Sequence, residues 1–247
     1  MIVPISITLN IDTGIDDIVD ALDCRIDNAT QRRFWFAEAH HASADTPTPL
    51  YDSRVVIRLR SGARDDLTVT MLPESCDRLT GDWAAPFDRD DLEYRISERW
   101  CGGSRQLTAS ARTHHPAGAM VAAIRDGADP THLLDMSQRR FLVACATSGT
   151  PIDHLVIRGP ITSHVWDTAL PENRRVRVER WLTDGLDVLG ITTRVELRPG
   201  DASYDLTARA VDAAGELRDG LSGLGGQTSP LASRTALALR VLSGAAT

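Results

Sequence analysis

The stretch VVIRLRSGARDDLTVTML, residues 55–72, decides how this chain is read. Its first half alternates strictly, with Val55, Ile57 and Leu59 at odd positions and Arg58 and Arg60 between them. Side chains of a β-strand point to opposite faces in turn, so one face is aliphatic and the other carries guanidiniums. Ser61-Gly62 marks a turn, and residues 66–72 read as the next strand. The guanidiniums then face either bulk water or an enclosed ligand.

The same pattern recurs outward from this hairpin. Strands are expected at 3–11, 30–38, 54–60, 66–72, 92–99, 105–112, 154–158, 162–168, 175–182 and 187–197, with further turns at Gly102-Gly103 and Asp184-Gly185. Helices are expected at 14–23, 132–147, 202–219 and 230–243, with Leu133, Met136 and Phe141 on or near one face of the second. About ten alternating strands suggest a closed antiparallel β-barrel with flanking helices, mostly β, in a single domain over 1–247. With helices packed outside, the polar faces of such strands line the inside. Tyr94, opposite in parity to Arg95, is expected in the core. The Gly-rich stretch 221–226 lacks the Gly-Lys-Ser/Thr ending of a P-loop.

Composition narrows the chemistry. The net charge is −7 and no basic block points to nucleic acid. All 27 basic residues are arginine. Arginine is a permanently charged fork suited to phosphate and carboxylate, and proton abstraction by lysine is excluded. Cys24, Cys76, Cys101 and Cys145 are widely spaced, show no zinc pattern, and read as reduced thiols. No signal peptide and no apolar run of transmembrane length is found, so a cytoplasmic protein without a membrane partner is expected.

The ordered pieces VVIRLRSGARDDLTVTMLP, MSQRRFL, IDHLVIRGPI, RRVRVERWLTDGLDVLGITTR and SRTALAL resemble the CYTH domain of the triphosphate tunnel metalloenzyme superfamily, in a divergent actinobacterial form. The resemblance spans roughly 5–243. It implies a barrel tunnel whose basic residues hold a polyphosphate and whose glutamates hold Mg²⁺ or Mn²⁺. It also implies hydrolysis of tripolyphosphate, thiamine triphosphate or RNA 5′-triphosphate, or cyclisation of ATP. By this resemblance Arg58 and Arg60 point inward and clamp an anion.

The chain departs from that pattern where metal would bind. The first strand carries Ser6, Thr8 and Asn10 where the family has two glutamates and a lysine, and Gly190 stands for a glutamate of the late hairpin. Thr70 replaces a lysine, Arg95 and Ser97 replace acids, and Val165 and Asp167 replace two lysines. Arg58, Arg60, Arg112, Arg177, Glu179, Arg194 and Arg234 remain, with Glu179 matching a family glutamate. One carboxylate among several guanidiniums suits an ion pair better than a hard divalent ion. The expected ligand is an anionic or acidic small organic molecule. Arg58, Arg60, Arg95, Arg112, Arg177, Arg194 and Trp181 would bind it, with Glu179, His164 and Asp167 as candidate catalytic groups, and no metal or other cofactor. The function so implied is a repurposed enzyme, such as a cyclase or isomerase of specialised metabolism. The alternatives are an Mg²⁺- or Mn²⁺-dependent triphosphate phosphohydrolase and a non-catalytic anion-binding protein.

Other motifs read as structural. Asp16-Asp17-Ile18-Val19-Asp20 spells D-D-x-x-D, but acids in a helix's first turn are favoured by the dipole. His40-His41 and His114-His115 are adjacent pairs whose members point to opposite faces of a strand, and both read as surface. Arg139-Arg140 and Arg174-Arg175 read as surface too.

Overall fold

The structure is a computed structural model that describes residues 1–40, 46–89, 92–170, 174–225, 227 and 233–244. Its elements in chain order are β1 (Ile5–Ile11), α1 (Ile15–Ala21), β2 (Thr30–Ala39), α2 (Pro49–Asp52), β3 (Val55–Ser61), β4 (Asp65–Met71), β5 (Phe87–Arg89), β6 (Leu92–Cys101) and β7 (Ser104–His115), then α3 (Ala119–Arg125), α4 (Pro130–Leu133), α5 (Met136–Cys145), β8 (Leu155–Leu170), β9 (Arg174–Thr183), β10 (Leu186–Val195), α6 (Ser203–Gly223) and α7 (Arg234–Leu242). Neighbouring strands run β1-β10-β9-β8-β2-β3-β4-β7-β6-β5, and β1 also pairs with β6. Nine strands thus close a ring of pairings, a β-barrel, with β5 attached to β6. The barrel is mixed rather than purely antiparallel, because β1 and β6 run parallel, Ile5 beside Glu98 through Thr8 beside Cys101.

The chain packs as two compact units, one of residues 1–31, 97–106 and 162–234, the other of residues 32–96, 107–161 and 235–247. In the first, Ile5, Ile7, Leu9 and Ile11 of β1 join Val176, Val178, Leu189 and Ile191 of the β9–β10 hairpin on one face. They pack under Ile15 and Ile18 of α1 and Leu206, Ala210, Leu217 and Leu221 of α6. The α6 residues recur at helical spacing, so one stripe covers the sheet. Each such fully buried aliphatic side chain contributes about 1.5–3 kcal/mol. The opposite face of these strands carries the polar residues.

The second unit repeats the scheme around the opening stretch. Val55, Ile57 and Leu59 of β3 are buried, as are Leu67, Val69 and Met71 of β4 and Ala109 and Ala111 of β7. Tyr94 is fully buried as expected, with its hydroxyl donating to the Trp83 carbonyl at 2.7 Å, and stacks edge-on against Trp83 and Phe141. Gln138 of α5 reaches into the sheet and donates to the carbonyls of Leu67 and Ala111 at 2.9 and 3.1 Å.

Two expectations of the sequence change here. The predicted helix over 132–147 is two helices, α4 and α5, because Asp135 begins a new one with a reciprocal cap to Gln138. Phe141 is consequently buried while Met136 turns to the surface. The two strands predicted either side of Gly159-Pro160 are one strand, β8. Gly159 sits at φ 132° with no room for a side chain, since a Cβ would meet Trp35 at 3.0 Å. The first residues of the helix predicted over 230–243 lie outside the described residues, and α7 starts at Arg234.

Candidate functional site

The polar face of the first unit follows directly from register. Cross-strand partners share a face, and the rows read Asn10–Gly190–Glu179–Val165 and Thr8–Thr192–Arg177–Asp167, with Trp181 beside Ser163 and Ser6 beside Arg194. Strand parity on β9 thus sets Arg175, Arg177, Glu179 and Trp181 in line. At one end of the strands lies a cavity of about 850 Å³, lined on the polar face by Ser6, Asp167, Arg175, Arg177, Thr192 and Arg194, and reaching round to Thr168, Val176 and Thr193 of the other face. Arg177 grips Asp167 with two parallel bonds of 3.0 and 3.1 Å. Arg194 lies 2.6 Å from Glu196.

Further along the same face the groups are buried or half-buried and hydrogen-bond to one another. Glu179 accepts from Ser163 Oγ at 2.8 Å on Oε1 and from Arg234 Nη2 at 3.2 Å on Oε2. Arg234 Nη1 also donates to the Glu179 carbonyl at 2.9 Å, and its Cζ lies 4.4 Å from the centre of the Trp181 ring. Asn10 donates to Cys101 Sγ at 3.0 Å. Burial raises the Cys101 thiol pKa, partly offset by the charges of Arg234 and Arg99 and by the Asn10 hydrogen bond.

The resemblance implies Mg²⁺ or Mn²⁺ here, and the donors do not suit one. Both oxygens of Glu179 are engaged, one of them by a cation. Among the described residues no three His, Cys, Asp or Glu side chains converge to hold an ion. Mg²⁺ is usually held through one or two carboxylates together with waters and substrate phosphates.

The remaining predicted residues separate by face and by unit. His164 stands opposite Arg180, on the other side of the sheet from Glu179 and in ring contact with Trp166. Burial, reinforced by the Arg180 charge, lowers its pKa from the ordinary 6.5. Alternation therefore keeps His164 from sharing a site with Glu179 and Asp167. Trp166 is likewise on the helix side, donating to the Arg25 carbonyl at 2.8 Å. Arg58, Arg60, Arg95 and Arg112 belong to the second unit. There the rows read Phe36–Arg58–Thr68–Arg112 and Phe34–Arg60–Asp66–His114. Arg60 Nε donates to the buried Asp66 at 2.5 Å, and Thr68 Oγ1 donates to the same carboxylate at 3.2 Å. Arg58 lies over the Phe34 ring at 5.8 Å. Arg112 pairs with Glu93 at 3.1 Å, and Arg95 pairs with both Glu93 and Asp88. The Arg95 hydrogen bond holds the Asp88 carboxyl below the usual range.

Several of these groups escaped the sequence reading. Arg175 is exposed, as its surface reading has it, and also lines the cavity, while its neighbour Arg174 pairs with Glu216. His114, also read as surface, shares the polar row of Arg60 and Asp66. Parity with Arg177 and with Arg112 carried both signals. Ser163 had no local signal, and Arg234, retained in the resemblance, gave no sign of its pairing with Glu179, fifty-five residues away.

No protein-family model matches the chain, and no curated protein does. Solved structures do. A candidate adenylyl cyclase from Hippeastrum, described as having a dominant triphosphatase activity, aligns over 98% of this chain and 96% of its own at 12% identity, with a TM-score of 0.59. A candidate adenylate cyclase from Bacillus halodurans aligns over 96% of this chain and 97% of its own at 10% identity, with a TM-score of 0.55. At such identities the likeness is one of fold. Together with the closed ring of strands, it establishes that this chain has the CYTH-like β-barrel fold of the triphosphate tunnel proteins.

Proposed function

We propose that the first unit binds an anionic or acidic small organic molecule in the Arg175–Arg177–Arg194 cavity and transforms it without a divalent metal. A cyclisation or isomerisation steered by shape and hydrogen bonds fits such a site. The observation that carries this reading is the lining itself: three arginines, with Ser6 and Thr192 on the same face, against one aspartate, around about 850 Å³. Guanidinium forks recognise carboxylate and phosphate groups in two-point fashion. Asp167 holds the Arg177 fork in place, and the hydroxyls of Ser6 and Thr192 supply donors and acceptors for the rest of the ligand. Glu179 and Trp181, both engaged with Arg234, support the site from within.

A second reading is an Mg²⁺- or Mn²⁺-dependent triphosphate phosphohydrolase. Its support is the triphosphatase activity described for the Hippeastrum protein of the same fold. Calorimetric titration with tripolyphosphate, ATP and citrate, each with and without Mn²⁺, separates the two. Metal-independent binding that weakens in Arg177→Ala and Arg194→Ala is the expected result. Mn²⁺-dependent phosphate release, abolished by Glu179→Gln, would replace it with the hydrolase reading. Tight binding without turnover of any ligand would make the chain a binding protein.

A further inference from the structure

We propose that the Arg234 guanidinium is a resident cation that fills the space left by Gly190 and closes Glu179 to divalent metal. The inference goes beyond the ligand reading above and does not depend on what the cavity binds. Gly190 and Glu179 are direct cross-strand partners. A Cβ at position 190 would lie 2.4 Å from Arg234 Cζ, 2.7 Å from its Nε and 2.8 Å from its Nη1. The guanidinium therefore lies against the bare backbone of Gly190, in volume that no other residue type would leave open.

Every neighbour suits a fixed positive charge. The Glu179 carboxylate and carbonyl both accept from Arg234, and the indole of Trp181 offers its π-face. The side chains of Arg234 and Glu179 are only 13% and 24% exposed, so neither charge could stand there alone without a large desolvation cost. A guanidinium does not release its proton in a protein, so this cation is permanent where a bound metal ion comes and goes. A metal ion approaching Glu179 would have to displace Arg234 or sit beside a like charge. Removing the guanidinium and placing a carboxylate at 190 would instead set two acids opposite each other at about 4.5–5.5 Å between Cβ atoms, close enough to share an ion.

The test is Mn²⁺ titration followed by electron paramagnetic resonance and calorimetry, with no anion present. Wild-type protein is expected to show no saturable uptake. The double variant Gly190→Glu with Arg234→Ala is expected to gain a saturable site, which adding Glu179→Gln abolishes. Saturable uptake by wild type that Glu179→Gln removes would overturn the proposal. So would a double variant that is folded by circular dichroism and takes up no Mn²⁺. Should that variant not fold, Arg234→Ala alone decides: it gains saturable Mn²⁺ uptake that wild type lacks, or the proposal falls. Because these arms contain no organic anion, failure here is distinct from failure of the ligand reading.

Discussion

The two compact units carry polar faces built from the same residue type and use it differently. In the second, Arg60 and Asp66 form a pair whose side chains are 21% and 1% exposed. In the first, Arg177 and Asp167 form a two-point pair at 53% and 72%. A guanidinium locked against a buried carboxylate is part of the framework, since breaking such a pair strands a charge away from water. A guanidinium held open at a cavity is stiffened by its partner but still reachable. The difference teaches that arginine count says little about binding, and that the burial of the partner acid decides.

Substitutions can break this contrast, in descending order of effect. Asp66→Ala leaves Arg60 without its buried partner and is expected to destabilise the protein by about 3 kcal/mol. Denaturant unfolding measures this, and citrate binding at the first unit persists under native conditions. If Asp66→Ala removed binding while stability held, the assignment of roles would be reversed. Gly190→Ala comes next. Its methyl group must move the Arg234 guanidinium, the end of a flexible side chain, and loosen its hold on Glu179, at a cost of about 1 kcal/mol, seen in the same unfolding experiment. Arg177→Ala changes stability by less than about 1 kcal/mol, because its pair is exposed. It instead weakens anion binding by about tenfold or more, the worth of a charged hydrogen bond, read by calorimetry.

The smallest effect concerns acid. His164 has a lowered pKa in the folded chain, first through burial and then through Arg180. The unfolded chain thus binds that proton more readily, and stability is lost as the pH falls below about 6.5. His164→Gln is expected to flatten this part of the stability profile while leaving the neutral region nearly unchanged.

Much of the fold was legible because alternation is a local signal. Val55, Ile57 and Leu59 announce their buried face within five residues, and the whole β3–β4 hairpin follows. The rows Arg58–Thr68–Arg112 and Thr192–Arg177–Asp167 required registers that no single strand encodes. The split at Asp135 was hidden by a hydrophobic spacing that continues through the break. The parallel contact of β1 with β6 joins segments about ninety residues apart and leaves no trace in either. Sites were harder still, since Glu179 was recognisable as an acid on a polar face but its owner, Arg234, comes from fifty-five residues downstream.

The glycine at 190 also constrains how this sequence can change. A side chain there and the Arg234 guanidinium in its present place exclude each other, so a larger residue at 190 requires the arginine to swing aside and the two positions are not independent. A change at one position therefore alters what the other can tolerate. Gly190→Ala is expected to cost less in Arg234→Ala protein than in the wild type, because the space beside residue 190 is then already free.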